Sequence, residues 1–350
     1  MKNKVRLLGD YIRLVDARNT DNITDKVLGI SIDKFFMPSV ANLIGTDLSK
    51  YKLITTGKFA CNPMHVGRDE RLPIALYEEN EPAIVSPAYF IFEIIDKSLL
   101  DEDYLMMWFR RQEFDRICWL HTDGSVRGGI TWEDICRLEL PVPSIIEQRK
   151  IVRSYKAITE RIALKKQIND NLEAMMTAVF FNTFSSKETL ERSKLNELIS
   201  FGNGKSRPKT NGTIPVYGGN GVLSFTDQYN IENAILIGRV GAYCGSVFLE
   251  QKLCWVSDNA IFAKSKVSTD EFFDYFLLKS LNLFNHHVGT GQQLLTQEIL
   301  NNIEVSKPDY EQIEAFNVKA KAVYETITDN KNEIVRLQEL SGLLLSCLAG

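Results

Sequence analysis

Two long stretches of the chain place apolar residues at alternating steps of three and four. From Ile151 the series runs through Tyr155, Ile158, Ile162, Leu172, Met176 and Val179, with Lys165 and Asn169 as polar members. From Ile313 it runs through Phe316, Ala320, Val323, Ile327, Ile334, Leu337, Ser341, Leu344 and Leu348, and Asn330 is its main break. A period near 3.5 held over about five heptads predicts a coiled-coil seam rather than an ordinary surface helix. The two series superpose at a separation of 165 residues, so Lys165 and Asn330 occupy equivalent positions. Polar residues in a seam lower stability but fix register. The expectation is an antiparallel coiled coil within one chain, with Lys165, Asn169 and Asn330 setting its alignment.

Between these stretches the pattern is mixed. The first segment has strand-like runs at Lys58–Cys61 and Ala83–Glu93 and a helical run at Asp101–Arg116. The second predicts strands around Ala234–Gly238, Ser246–Glu250 and Ala260–Ala263 and a helix over Asp270–Leu283. Tyr104-Leu105-Met106-Met107 matches Phe272-Phe273-Asp274-Tyr275, and a polar loop follows each, at Thr122–Arg127 and Gly289–Gln293.

A repeat ties the halves together. Gly128–Pro143 followed by Glu147-Gln148 resembles Gln293–Pro308 followed by Glu311-Gln312, at a separation of 164–165. Both contain Thr-x-Glu, matching apolar positions, a proline and a Glu-Gln pair opening a long helix. The fold class predicted is α+β: two mixed domains, at residues 1–144 and 186–307, separated by long helices at 145–185 and 308–350. One unit is written twice, as a pseudo-twofold internal repeat.

Composition narrows the class. At 350 residues, with 44% hydrophobic and 25% charged residues, the chain is an ordinary globular one. No apolar run approaches the roughly 20 residues that span a bilayer, and Asp10, Arg13 and Asp16 interrupt any signal-peptide core; a cytoplasmic location is expected. The six cysteines are scattered without a CxxC pair, and the four histidines lie at no ligand spacing with them, so no metal site is expected. The net charge of −4 is a sum of unlike parts. Residues 1–143 carry −4, 144–184 carry +3, 185–307 are neutral and 308–350 carry −3. The basic first helix and acidic second helix suit pairing with each other.

Candidate chemistry points to binding. Gly202-Asn203-Gly204-Lys205-Ser206 lacks the glycine that a phosphate-binding P-loop needs five residues before Gly204, where Ile199 stands. The same stretch continues as a basic loop, so Lys205, Ser206, Arg207, Lys209 and Asn211 are candidates for phosphate and base-edge contacts. Tyr217, Asn220, Arg239 and Tyr243 sit in glycine-spaced turns that allow close backbone approach to a ligand, and Gln292 lies in a third such loop. In the first segment Lys58, Asn62, His65, Arg68 and Arg71 crowd around Pro63, and Thr122, Ser125 and Arg127 form the polar loop. Asn and Arg are the usual bidentate readers of adenine and guanine. Asn62-Pro63-Met64-His65 lacks the second proline and the aromatic residue of an adenine-methyltransferase box, and no cofactor box accompanies it. No nuclease carboxylate set or nucleophile elbow is found, so no catalytic residue is assigned.

Taken together, the two variable segments, each followed by a proline junction, a Glu-Gln pair and a long helix, resemble the specificity (S) subunit of type I restriction–modification enzymes. Gly29–Lys34, Leu48–Lys52, Gly57–Asn62 and Arg239–Tyr243 support the resemblance, which spans essentially the whole chain. The second junction departs from it, since Ser306-Lys307-Pro308 stands where the first copy has Pro141-Val142-Pro143. The resemblance implies a non-catalytic subunit whose two domains each read one half of an asymmetric bipartite DNA site. The helices would set the gap and dock methyltransferase subunits, two of them, and restriction/translocase subunits would join the complex. S-adenosylmethionine, ATP and Mg²⁺ would then belong to those partners, none to this chain. A helix over residues 145–182 would be roughly 57 Å long, comparable to about 17 base pairs. Two other readings stand beside it: a coiled-coil scaffold without DNA binding, and a stand-alone methyltransferase or nuclease.

Overall fold

The computed structural model describes residues 5–64, 66–122, 128–184, 191–289, 291–307 and 309–348. The chain packs as two compact units, residues 1–164 with 333–350, and residues 165–332. Two long helices, Ile145–Phe184 and Tyr310–Cys347, contribute to both units.

In the first unit the strands are β1 (Val5–Leu7), β2 (Ile12–Leu14), β3 (Val27–Ile30), β4 (Phe36–Pro38), β5 (Lys52–Ile54), β6 (Phe59–Cys61), β7 (Ile74–Leu76), β8 (Ala83–Val85), β9 (Phe90–Ile94) and β10 (Glu139–Pro141). Its helices are α1 (Val66–Asp69), α2 (Glu102–Phe109), α3 (Gln112–Leu120) and α4 (Trp132–Cys136), followed by the start of the long α5 (Ile145–Phe184). One sheet has the order β2-β9-β6-β7 and another β4-β3-β8-β5, while β1 pairs with β10. Phe59, Cys61 and Phe92 face a large core with α2, α3, Val152, Tyr155 and Leu348. Ala60 and Ile91, on the opposite face, enter a second core with Leu28, Ile54 and Tyr77. Alternation along a strand makes both faces apolar here, which is why these strands read as continuous hydrophobic runs.

The second unit contains β11 (Glu191–Lys194), β12 (Ile199–Asn203), β13 (Ile214–Gly218), β14 (Gly221–Thr226), β15 (Ile231–Gly238), β16 (Val247–Val256), β17 (Ala260–Ser265) and β18 (Glu304–Lys307). Its helices are α6 (Leu195–Leu198), α7 (Glu271–Ser280), α8 (Gln297–Asn301) and the long α9 (Tyr310–Cys347). A six-stranded sheet has the order β12-β17-β15-β16-β13-β14, and β11 pairs with β18. Ile235 and Ile237 pack with α7, Phe180 and Phe316, while Ala234 and Leu236 pack with Cys254 and Val256 on the other face.

The sheets are copies. The order β2-β9-β6-β7 matches β12-β17-β15-β16, and the β3–β4 hairpin, with β3 parallel to β8, matches the β13–β14 hairpin, with β13 parallel to β16. In the second unit β15 continues past a bulge at Asn233, whose φ is 52°. In the first, the turn at Thr55–Lys58 separates β5 from β6, with Gly57 at φ 79°. The segment Tyr77–Pro82 likewise separates β7 from β8. One sheet in the second unit is thereby two in the first.

The duplicated Thr-x-Glu is a helix cap in both copies. Thr131 Oγ1 accepts from the Asp134 N–H at 3.1 Å, and Thr296 Oγ1 accepts from Ile299 N–H at 3.2 Å, the usual role of a threonine before a first turn. Two expectations need correction. Ala83–Glu93 is not one strand, because Ser86-Pro87-Ala88 forms a turn between β8 and β9. Asp101–Arg116 is two helices: α2 ends at Phe109, and Arg111 returns to extended backbone (ψ 143°) before α3.

The long helices run antiparallel. Arg161 meets Glu333 in the first unit, and in the second Lys165 meets Asn330 while Phe180 and Phe184 meet Phe316. The buried stripe of α5 includes Val152 and Phe180, neither of which the seam predicted from the sequence contains, and Ile151 is only half-buried.

Candidate nucleic-acid interface

In the second unit five loops are tied together by backbone hydrogen bonds. Gly204 N–H donates to Ala260 O at 3.1 Å, Lys205 N–H to Val256 O at 2.9 Å and Ser257 N–H to Tyr217 O at 2.9 Å. Arg239 N–H donates to Asn259 O at 3.0 Å, Gly241 N–H to Gln293 O at 3.0 Å and Leu295 N–H to Arg239 O at 2.9 Å. Glycine permits this crowding: a Cβ at Gly204 would lie 2.0 Å from Ser257 O, and one at Gly238 2.2 Å from Tyr243 O. The sequence candidates Lys205, Ser206, Arg207, Lys209, Asn211, Asn220, Tyr243 and Gln292 are exposed on or beside this frame.

Arg239 is half-buried at its centre. Its Nη1 donates to Asp258 O at 3.4 Å, and its Nε is enclosed without a partner among the described residues. Tyr217 is a correction: its hydroxyl donates to Glu250 Oε2 at 2.9 Å and its ring packs on Phe248, so it supports the sheet. Burial and the adjacent Glu250 carboxylate push its hydroxyl well above the usual phenol range. Sequence reasoning missed the turn Ser257-Asp258-Asn259. Ser257 is 1% exposed and its Oγ has no partner among the described residues, and Asp258 and Asn259 are exposed beside Arg239.

The first unit repeats the frame with other side chains. Ile130 N–H donates to Pro63 O at 3.1 Å, as Leu295 does to Arg239, and Gly67 N–H donates to Gly128 O at 3.0 Å, as Gly241 does to Gln293. Pro63 therefore takes the place of Arg239. The turn closed by Tyr89 N–H to Ser86 O at 3.1 Å matches that closed by Ala260 N–H to Ser257 O at 3.0 Å, so Pro87-Ala88 replaces Asp258-Asn259.

The predicted readers here are locally engaged. Arg68 holds Asp69 through Nε and Nη2 at 2.7 and 2.9 Å, and Arg71 Nη1 contacts Asp33 at 3.1 Å. Lys58 Nζ donates to Thr55 Oγ1 at 2.7 Å, Asn62 Oδ1 accepts from Met64 N–H at 3.1 Å, and Thr122 Oγ1 donates to Trp119 O at 2.7 Å. His65, Ser125 and Arg127 lie outside the described residues. Lys34 is a structural lysine: its ammonium donates to Phe109 O and Asp115 Oδ1, both at 2.6 Å, and burial lowers its pKa against the pull of Asp115.

Residues 187–336 match the family of the type I restriction modification DNA specificity domain. Over this stretch the chain is similar to a type I restriction modification DNA specificity domain. No curated protein matches it significantly. Among solved structures, the S subunit of a type I restriction–modification system from M. genitalium aligns at a TM-score of 0.61 and 16% identity, covering 99% of this chain and 95% of that chain. A chain from a study of complex assembly and conformational transition in the type I R-M system aligns at 0.52 and 16% identity, covering 99% and 97%. Over nearly its whole length the chain shares its fold with these structures.

The second unit holds the polar residues predicted to set helix register. Lys165 Nζ donates to Asn330 Oδ1 at 2.7 Å, and Asn330 Nδ2 donates to Asn169 Oδ1 at 2.8 Å in a buried bond. Since 165 and 330 differ by one repeat, exchanging the copies maps the Lys165–Asn330 pair onto itself. The second unit also buries Asp274 on α7, where the first copy has Met106. Burial, reinforced by Asp270, pushes this carboxyl up to about 7. Among the described residues no group of His, Cys, Asp and Glu is placed to hold a metal ion, and no helix is long and apolar enough to cross a membrane.

Proposed function

We propose that this chain is the DNA sequence-reading subunit of a type I restriction–modification complex. Each globular domain reads one half of an asymmetric bipartite site in double-stranded DNA. The antiparallel helices set the gap and dock methyltransferase subunits, two per complex, through which restriction/translocase subunits join. The chain performs no chemistry itself and works in the cytoplasm; S-adenosylmethionine, ATP and Mg²⁺ serve the partner subunits.

The convergent loop cluster of the specificity domain supports this reading. Lys205, Arg207 and Lys209 are exposed and chemically suited to phosphates, and Asn220 and Arg239 of the same loop cluster carry side chains that match base edges. The near-neutral charge of this domain and the overall −4 fit specific contacts with a weak non-specific grip, the partner subunits providing much of the backbone hold.

Co-expression with its methyltransferase, followed by genome-wide mapping of methylated adenines, tests the proposal. One split motif with two unlike halves is the expected result. Methylation independent of this chain, or a motif without two halves, would overturn it. A mobility shift of the assembled complex on that site, weakening with salt and lost on scrambled DNA, separates a reader from a scaffold.

A further inference from the structure

The turn Ser257-Asp258-Asn259 joins β16 to β17 in the middle of the loop cluster. Its frame is built: Lys205 N–H and Gly204 N–H bind its two flanks, and Arg239 N–H binds Asn259 O at 3.0 Å. Among the described residues Ser257, 1% exposed, has no partner for its hydroxyl, and the enclosed Nε of Arg239 has none either. Asp258 is exposed, and its carboxylate makes no ion pair or hydrogen bond with any described residue, although cationic Lys205 and Arg239 share the cluster. An anionic side chain in a basic rim is a poor phosphate ligand, since it repels the backbone. It suits a base edge that donates.

We propose that Asp258 and Arg239 together read one G·C pair in the half-site of the second domain; this rests on the DNA-reading function proposed above. A carboxylate only accepts and a guanidinium only donates. In the major groove cytosine presents the N4 amino donor and its partner guanine the O6 and N7 acceptors, side by side on one pair. Arg239 Nη1 donates to the Asp258 backbone carbonyl at 3.4 Å, so the guanidinium lies against the residue that bears the exposed carboxylate. Asp258 rejects guanine and thymine at the cytosine position, because both turn acceptors toward it. The first copy, with Pro63 and Pro87-Ala88 in these places, has no such reader.

The test is adenine-methylation mapping with the full chain, co-expressed with its methyltransferase, comparing wild type with Asp258→Asn and Asp258→Ala. The amide has nearly the carboxylate's shape but can also donate. Both variants should lower discrimination at one G·C pair of one half-site about tenfold, with the other half-site read as before. That retained half-site shows that each variant folds and assembles. An unchanged motif, an effect at a position that is not G·C, or an equal loss at every sequence would overturn the assignment. If the wild-type complex methylates no bipartite motif, the reading of the chain as a sequence reader fails; if it does and Asp258→Asn leaves it intact, only the Asp258 assignment fails.

Discussion

The two globular domains share strand order, helix caps and loop frame, yet they spend their polar residues differently. In the second domain the frame holds half-buried Arg239 beside exposed Asp258 and Asn259; in the first the same backbone positions hold Pro63, Pro87 and Ala88. Conversely the first domain commits its charged residues to structure, with Arg68 on Asp69, Arg71 on Asp33 and Lys34 on Asp115. Inside the cores the contrast reverses, since Met106 of the first copy faces its core where the second has a carboxyl at Asp274. A duplicated backbone therefore constrains where loops converge but not which chemistry they carry, which is what the proposal of two unlike half-sites requires.

The largest test of this contrast is Asp274. Below about pH 4 the carboxyl is protonated in both folded and unfolded chains. Between about pH 4 and its folded pKa of about 7 only the unfolded chain releases the proton, so stability falls as pH rises and levels off above that window. The decline should reach roughly 4 kcal/mol, and Asp274→Asn should flatten it in denaturant titrations across pH. A slope that survives the substitution would mean the two cores differ less than they look.

Next in size is Gln148. It is fully buried, donating to Leu99 O at 2.9 Å and Pro143 O at 2.8 Å and accepting from Asp101 N–H at 2.9 Å. Its repeat partner Gln312 is exposed. Gln148→Ala should destabilise by about 3 kcal/mol, because it strands buried backbone groups, and Gln312→Ala by less than about 0.5 kcal/mol. Equal effects in thermal unfolding would break the asymmetry.

For DNA affinity, Arg239→Ala should weaken the assembled complex by about 1–3 kcal/mol, read as a mobility shift. Arg68→Ala and Arg71→Ala, whose guanidinium groups are already paired, should change it by less than about 0.5 kcal/mol. The double change Lys165→Leu with Asn330→Leu strands the buried Asn169 Oδ1 and should cost about 1–3 kcal/mol, offset in part by the added apolar contact. It should also permit register slippage or altered oligomers, visible by light scattering, because the polar seam contact is gone.

Much of this architecture was legible in advance because its signals are local. The 3.5-residue period marks α5 and α9, and Thr131 and Thr296 announce the short helices they cap. Where a signal depends on a partner far along the chain, the pattern misled. Tyr217 looked like a loop tip and instead binds Glu250, 33 residues on. Lys34 shows nothing in sequence to say that Asp115, 81 residues away, and the Phe109 carbonyl fold around its ammonium. Asp258-Asn259 carried no motif at all; its place beside Arg239 comes from strand pairing between β15 and β17.

By itself the sequence determined the repeat, the two long helices with their polar seam residues, and the glycine-spaced loops that hold the candidate readers. Those follow from periodicity, capping and glycine spacing, which act over a few residues. The tertiary structure alone decided that Gln148 is buried while Gln312 is exposed, that Arg71 pairs with Asp33, and that Arg239, Asp258 and Asn259 meet. Burial and convergence depend on contacts between residues tens of positions apart, and desolvation at those contacts, rather than residue type, separates a structural charge from a free one.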